Sequence, residues 1–183
     1  LPALSEARFH PVLHQHFKEY FAQVPAYDIR ARHDIPRDAT LFVSLGYLKA
    51  YKRAAEMITA FRAADLPNAY LLLAGRVAPS YRAELEAACG NDPRVKLMGG
   101  AFDDTDLVSI LTAAQASVFN FAGQFNSGSL ITALSLGAPV VCPKFPAGSE
   151  IAAMVGPDWM LEVDSSISAD DFVEAAKRFS ARQ

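Results

Sequence analysis

Short apolar runs alternate with longer amphipathic segments from residue 39 to the end of the chain. The apolar runs, typical of buried strands, cover residues 40–44, 70–74, 95–98, 116–120, 140–142 and 159–163. Segments with apolar residues at helical spacing lie at about 54–64, 79–88, 106–114, 126–134, 150–155 and 169–181. Strands that alternate with helices form βαβ units, whose right-handed crossovers give a parallel sheet with helices on both faces. The pattern therefore predicts an α/β protein with a doubly wound, Rossmann-like parallel sheet of about six strands.

The composition fits one such globular domain. Of the 183 residues, 51% are hydrophobic and 20% are charged, which is enough to form a core. The net charge of −3 gives no basic surface, so nucleic acid is not expected as the main partner. No apolar run approaches the length of a membrane span. Cys89 and Cys142 lie far apart without the spacing of a metal or redox site, which favours buried free thiols and a cytoplasmic location.

Several familiar nucleotide-binding and hydrolase motifs are absent. The first strand leads into Gly46-Tyr47-Leu48-Lys49 and not into G-x-G-x-x-G, and no G-x-x-x-x-G-K-[ST] occurs. NAD-dependent enzymes and P-loop NTPases are therefore disfavoured. No G-x-S-x-G occurs either, so nothing supports a hydrolase elbow.

Ligands of doubly wound folds bind beyond the carboxyl ends of the strands. Glycine, which lets a ligand approach the backbone closely, is present in most of the loops at that edge, at Gly46, Gly75, Gly99-Gly100 and Gly123.

Small and hydroxyl-bearing residues mark the start of the helix that follows the fourth strand. They are Asn126, Ser127, Gly128 and Ser129. The free N–H groups and the positive dipole of a helix start suit a phosphate. The alternative is an ordinary capped helix, because Asn and Ser are favoured N-caps.

Three cations, Lys49, Lys52 and Arg53, follow the first strand directly and suit a diphosphate. The alternative is a solvated cluster, although cations at a helix start oppose the dipole. Arg76 is a weaker candidate for the same role.

Three other residues near this edge have open interpretations. Tyr51 is a packing residue or, less favoured, a sugar contact. Phe102 flanks a base or packs in the core, and Lys144 is expected to be solvated.

Residues 1–38 are the least regular part and carry His10, His14, His16 and His33. A metal site would need a further ligand that this spacing does not supply, so a surface or interface role is favoured.

Five segments resemble one enzyme family in their order and spacing. They are 45–53 (LGYLKAYKR, similar to G-x-I-R-x-Y-K-G), 111–115 (LTAAQ), 125–129 (FNSGS), 133–141 (ALSLGAPVV) and 149–151 (SEI). Together they resemble the C-terminal, donor-binding half of retaining GT-B glycosyltransferases of the family-4 type, over residues 30–165.

The resemblance implies a site that binds a UDP- or GDP-linked sugar without a metal or other cofactor. Lys52, as the catalytic cation, and Lys49 would neutralise the donor diphosphate. The sugar, phosphate and base would meet the residues Gly46, Phe102, Gln124, Asn126, Ser127, Gly128, Ser129 and Thr132. Two departures are visible: Gln124 and Thr132 stand where the family carries a Glu pair, and Arg53 replaces a Gly.

The resemblance also implies a second domain. Residues 1–38 would be the interdomain link and 39–183 the nucleotide-sugar domain, with the acceptor domain absent from this chain. The aromatic stretch 17–27 would then pack at the domain junction or in the cleft. The expected activity is sugar transfer to a glycan or lipid-linked glycan in polysaccharide biosynthesis, at the cytoplasmic side and in peripheral contact with the membrane through the absent domain. Alternatives are a degenerate binding module and a nucleotide-sugar isomerase or hydrolase.

Overall fold

The computed structural model describes residues 16–121 and 127–180. Its centre is a six-stranded parallel sheet with the strand order β3-β2-β1-β4-β5-β6. The strands are β1 (Thr40–Leu45), β2 (Ala69–Gly75), β3 (Val95–Gly99), β4 (Ala116–Val118), β5 (Val140–Pro143) and β6 (Met160–Val163). The doubly wound α/β fold predicted from the apolar runs is confirmed.

Eight α-helices accompany the sheet in the described part of the chain. They are α1 (Lys18–Phe21), α2 (Ile29–Arg32), α3 (Ala54–Ala63), α4 (Arg82–Cys89), α5 (Asp104–Ala113), α6 (Gly128–Ser135), α7 (Pro146–Val155) and α8 (Ala169–Phe179). Short 3₁₀ turns at Ala50–Lys52 and Pro79–Tyr81 precede α3 and α4. Helix α7 begins four residues before the predicted start, because Pro146 fits the first turn of a helix.

The helices divide between two cores, one on each face of the sheet. Residues of α3, α4 and α8 form the first core, where the rings of Phe42, Phe61 and Phe172 meet edge to face with centroids 5.1–6.4 Å apart. Residues of α2, α5 and α6 form the second core, with α7 packed against it. Because α3 follows β1 on one face and α6 follows β4 on the other, the strand order reverses between β1 and β4. That reversal is where such folds bind ligands.

The segment before β1 lies on the second face and not in a separate region. Tyr20 donates a hydrogen bond to Asp104 and Tyr27 donates one to Asp106, both in the first turn of α5. The backbone N–H of Phe17 donates to Ser135 Oγ at the end of α6 (3.0 Å). The aromatic stretch 17–27 therefore contacts this chain's own helices, and its expected place at a domain junction or in the cleft stays a prediction. The division at residue 38 stays a prediction.

No helix in the described ranges has the length and apolar character that a membrane crossing would need.

Candidate functional site

The loops after β1 and β2 are joined into one rigid platform. Gly46 N–H donates to Ala74 O (3.0 Å), Leu48 N–H to Arg76 O (2.8 Å), and Ala78 N–H to Leu48 O (2.9 Å). Gly75 lies so close to Gly46 that a Cβ atom on Gly75 would stand 2.0 Å from the Gly46 carbonyl oxygen. From the sequence, the glycines at this edge were predicted to let a ligand approach the backbone. At Gly75 the group that approaches is the backbone of the neighbouring loop.

The side chain of Lys52 turns back over this platform. Its ammonium donates to Leu45 O (3.3 Å). A Cβ atom on Gly46 would lie 2.6 Å from Lys52 Nζ and 3.7 Å from Ser129 Oγ. Three predicted site residues, Gly46, Lys52 and Ser129, thus meet at the point between β1 and β4.

The Lys52 ammonium is a partly buried charge. Burial, and then the nearby charge of Lys49, lower the pKa of Lys52. Within residues 16–121 and 127–180 it forms no ion pair with a carboxylate. Burial without a counterion disfavours the charged form of a lysine, so an anion bound here would raise this pKa.

Ser127 is the N-cap of α6, and its Oγ accepts from Leu130 N–H (3.3 Å). The capped-helix interpretation is therefore correct, and it is compatible with an anion site. The carbonyl of Ser127 accepts from Leu130 and Ile131, so the N–H groups of Gly128 and Ser129 precede the hydrogen bonds of the helix. The side chain of Ser129, in this first turn, is the one that approaches Gly46 together with Lys52.

Thr132 occupies one of the positions where an acid was expected. Its hydroxyl donates to the Gly128 carbonyl one turn back in α6 (2.9 Å). With its hydrogen engaged, Thr132 can only accept a hydrogen bond from a ligand hydroxyl. Gln124, Asn126 and Gly123, which the sequence also placed at the site, lie outside the described residues.

Two further cations near β1 have different surroundings from Lys52. Lys49 Nζ lies 4.5 Å from the centre of the Tyr47 ring, and its charge is near enough to Lys52 to lower the pKa of Lys52. Its role at a donor diphosphate stays a prediction. Arg53 forms an exposed ion pair with Glu56 (3.9 Å) and adopts a left-handed backbone with φ 47°. That conformation is natural for glycine, which explains why the family carries Gly at this position.

Three other residues near this edge, Tyr51, Phe102 and Lys144, differ in how far the structure agrees with their predicted roles. Tyr51 is 47% exposed, so the preferred packing role was wrong. Phe102 is half-buried against the second core, at the loop that precedes α5. Lys144 is exposed and paired with Asp164, an ion pair not expected from the sequence.

Asn120 is a structural residue that sequence reasoning missed. It is 2% exposed. Its Nδ2 donates to Arg53 O (3.2 Å), and its Oδ1 accepts from Ile167 N–H (2.8 Å). It therefore ties the end of β4 to the turn that carries Lys52 and to the loop before α8. The available signal was a polar residue within an apolar run.

Replacing Asn120 with alanine should destabilise the chain by about 2–3 kcal/mol, because the buried Ile167 N–H loses its acceptor and the Arg53 carbonyl keeps only Met57 N–H as a donor. Urea unfolding would measure this loss. The matched control is Asn68→Ala, which removes only exposed hydrogen bonds to Asp38 and should stay within about 0.5 kcal/mol. Equal unfolding midpoints for the two variants would contradict the tie.

The described ranges contain no group of three or more His, Cys, Asp or Glu side chains that could hold a metal ion. His16 is exposed and His33 is half-buried, while His10 and His14 lie outside the described residues.

Residues 39–181 match the family described as glycosyl transferases group 1. The chain belongs to this family. A curated relative is the GDP-mannose:glycolipid 4-beta-D-mannosyltransferase of Xanthomonas campestris pv. campestris, 28% identical over 177 residues. The match covers 91% of this chain and 48% of the relative, so this group 1 sequence spans about half the length of that enzyme.

Solved glycosyltransferases share the fold. The trehalose-6-phosphate synthase OtsA superposes with a TM-score of 0.72 at 13% identity, over 91% of this chain and 41% of its own. Anabaena HepE, solved in complex with UDP-glucose, superposes with a TM-score of 0.70 at 18% identity, over 84% of this chain and 43% of its own. Each match covers less than half of the solved chain, so the six-stranded unit corresponds to one half of a GT-B fold, as the resemblance implied.

Proposed function

We propose that this chain is the donor-binding half of a glycosyltransferase that transfers a sugar from a nucleotide-sugar to a glycan or lipid-linked glycan. The observation that carries the proposal is the Lys52 ammonium, which lies at Gly46 beside the first turn of α6 and has no carboxylate partner among the described residues. A helix start and a lysine together form a diphosphate site at the ligand edge of this fold.

In the proposed reaction, the bond between the anomeric carbon and the diphosphate oxygen breaks while an acceptor hydroxyl attacks, and the hydroxyl proton passes to the leaving diphosphate. Negative charge develops on the leaving diphosphate. Lys52 and the N–H groups of Gly128 and Ser129 would stabilise that charge. The half-buried setting of Lys52 strengthens the attraction, because water screens it less than at an open surface.

For the donor we propose GDP-mannose, since both curated relatives are named for it and the match spans 91% of this chain. Calorimetric titration of the full-length protein with GDP and UDP tests the choice, with GDP expected to bind more tightly. Binding of neither nucleotide at millimolar concentration would contradict the donor site, and preference for UDP would contradict the base.

The stereochemistry of transfer can be tested with the same protein. The resemblance implies retention, whereas the relatives are named for a β-linked product. NMR of the product would give the configuration of the new linkage. A β-linked product from an α-configured donor would mean inversion and would contradict retention.

A second domain that binds the acceptor is part of this proposal, together with a cytoplasmic location and peripheral contact with the membrane through that domain. The curated relatives are about twice as long as the matched region, which supports the second domain.

The alternative function is that of a degenerate binding module. Thr132 favours it, because its hydroxyl donates within its own helix at a position where the family carries an acid. An isomerase or hydrolase has less support, because Glu150 is exposed on α7.

A further inference from the structure

The backbone is strained directly after Lys52, where the chain enters α3. Arg53 has a φ of 47°, in the left-handed region, which is costly for a residue that has a Cβ atom. Arg53 is also the N-cap of α3, and its side chain makes no capping hydrogen bond. Strained backbone of this kind persists only when the surrounding structure holds it. The turn that carries Lys52 therefore depends on partners from other parts of the chain.

Tyr81 provides one of these partners. Its hydroxyl oxygen accepts a hydrogen bond from the N–H of Ala55, the second residue of α3 (2.7 Å). The Tyr81 side chain is buried in the first core, where bulk water does not compete for this N–H group. An oxygen that accepts from the first turn of a helix usually belongs to the N-cap residue itself. Here it comes from a residue 26 positions after Ala55 in the chain.

Tyr81 is attached to the same platform of loops on which Lys52 lies. The N–H of Tyr81 donates to Ala78 O (2.9 Å), and Ala78 N–H donates to Leu48 O (2.9 Å). Leu48 closely follows Gly46, the residue at which the Lys52 ammonium lies. The hydrogen bond from α3 to Tyr81 therefore fixes the start of this helix relative to Gly46. Lys52 precedes that helix by two residues, so its place above the platform is fixed by the same contact.

We propose that Tyr81 is a positioning residue for Lys52, acting through its hydrogen bond to the first turn of α3. This inference rests on the proposed function, in which Lys52 binds the donor diphosphate. Tyr81 shares the task with Asn120, which donates to Arg53 O (3.2 Å). Glycine adopts a φ of this sign without strain and would need less support. Tyr81 thus compensates for the arginine at position 53, where the family carries Gly.

Tyr81→Phe tests the proposal in the full-length protein, because it removes the hydroxyl and keeps the ring. The affinity for GDP, measured by calorimetry, should fall by about tenfold, since a displaced Lys52 loses a charge-assisted hydrogen bond to the diphosphate. A second readout is the titration of Lys52, followed by NMR with isotope-labelled lysine and assigned from Lys52→Arg. Burial and the charge of Lys49 lower the pKa of Lys52, so a side chain released into solvent should titrate at higher pH. A loss of stability alone would not move that titration.

Arg53→Gly offers a rescue that separates positioning from a merely structural role. In the Arg53→Gly protein, adding Tyr81→Phe should change the affinity for GDP by no more than about twofold, because the turn is no longer strained. An equal loss of affinity in both backgrounds would contradict the compensation. If Tyr81→Phe alone does not fold, the double variant should fold. Failure of the double variant to fold would overturn the proposal, because the hydroxyl would then be needed whatever residue stands at position 53.

Tyr27→Phe is the matched control. It removes a hydrogen-bonded hydroxyl on the opposite face of the sheet and should change neither the affinity for GDP nor the titration of Lys52. Unchanged GDP affinity in Tyr81→Phe would overturn the proposal, and so would a lower affinity with an unchanged titration of Lys52. Failure of the wild-type protein to bind GDP would count against the donor function instead. The NMR titration needs no donor, so it would still show whether Tyr81 positions Lys52.

Discussion

Replacing Lys52 with alanine is expected to lower kcat/KM of the full-length enzyme by about 10²–10³-fold, the usual cost of removing one group that stabilises developing negative charge. The reason is the position of Lys52 Nζ above Gly46 and beside Ser129, where the leaving diphosphate would lie. The affinity for GDP should fall as well, since the lysine also contacts the ground-state diphosphate. Steady-state kinetics with GDP-mannose and calorimetry with GDP would separate the two effects.

The control is Lys177→Ala, which removes an exposed lysine from the last turn of α8 and should leave kinetics unchanged. Circular dichroism would verify that both variants remain folded. Full biological function of the protein with an alanine at position 52 would favour the degenerate binding module over the enzyme.

Replacing Gly75 with alanine is expected to destabilise the chain by about 3 kcal/mol or more, because the new Cβ would overlap the Gly46 carbonyl and the backbone at φ 141° is strained for any other residue. This is a large share of the stability of a typical domain. Urea unfolding should show a midpoint lower by about 1 M or more, since the dependence on urea is about 1–3 kcal/mol per molar for small proteins.

Gly99→Ala provides a close control for this change. Gly99 is paired with Gly75 in the β2–β3 register, yet a Cβ atom there would meet nothing within 4 Å. Its substitution should change stability by no more than about 0.5 kcal/mol. If both variants unfold at the same urea concentration, the close approach of the two loops is not what requires glycine at position 75.

The sheet could be predicted from sequence because its strands are buried on both faces and so read as continuous apolar runs. The run at Tyr70–Ala74, for example, is one residue shorter at each end than β2. Helices α1 and α2 were missed because each has only four residues, too few for a periodic signal. The apolar run 116–120 is longer than strand β4, because residues 119–121 remain buried after the strand ends.

The candidate site was predictable in its parts and less so in its arrangement. Ligands bind at the carboxyl ends of parallel strands, and this rule correctly predicted that Gly46, Lys52 and Ser129 lie at one edge of the sheet. The contact between Lys49 and the Tyr47 ring was not predictable, since it depends on the pairing of two loops distant in sequence. The role of Asn120 depends likewise on contacts with residues 67 and 47 positions away.

The tether between Lys52 and the Leu45 carbonyl has a consequence for affinity. A lysine side chain that is immobilised only on binding loses about 1.5–2 kcal/mol of rotational freedom at that moment. Here the Lys52 side chain is already confined, because it packs on Gly46 and because Asn120 fixes the turn that carries it. Much of that entropic cost is met during folding. Binding of a diphosphate to the preorganised ammonium therefore costs less entropy, and more of the electrostatic attraction contributes to affinity.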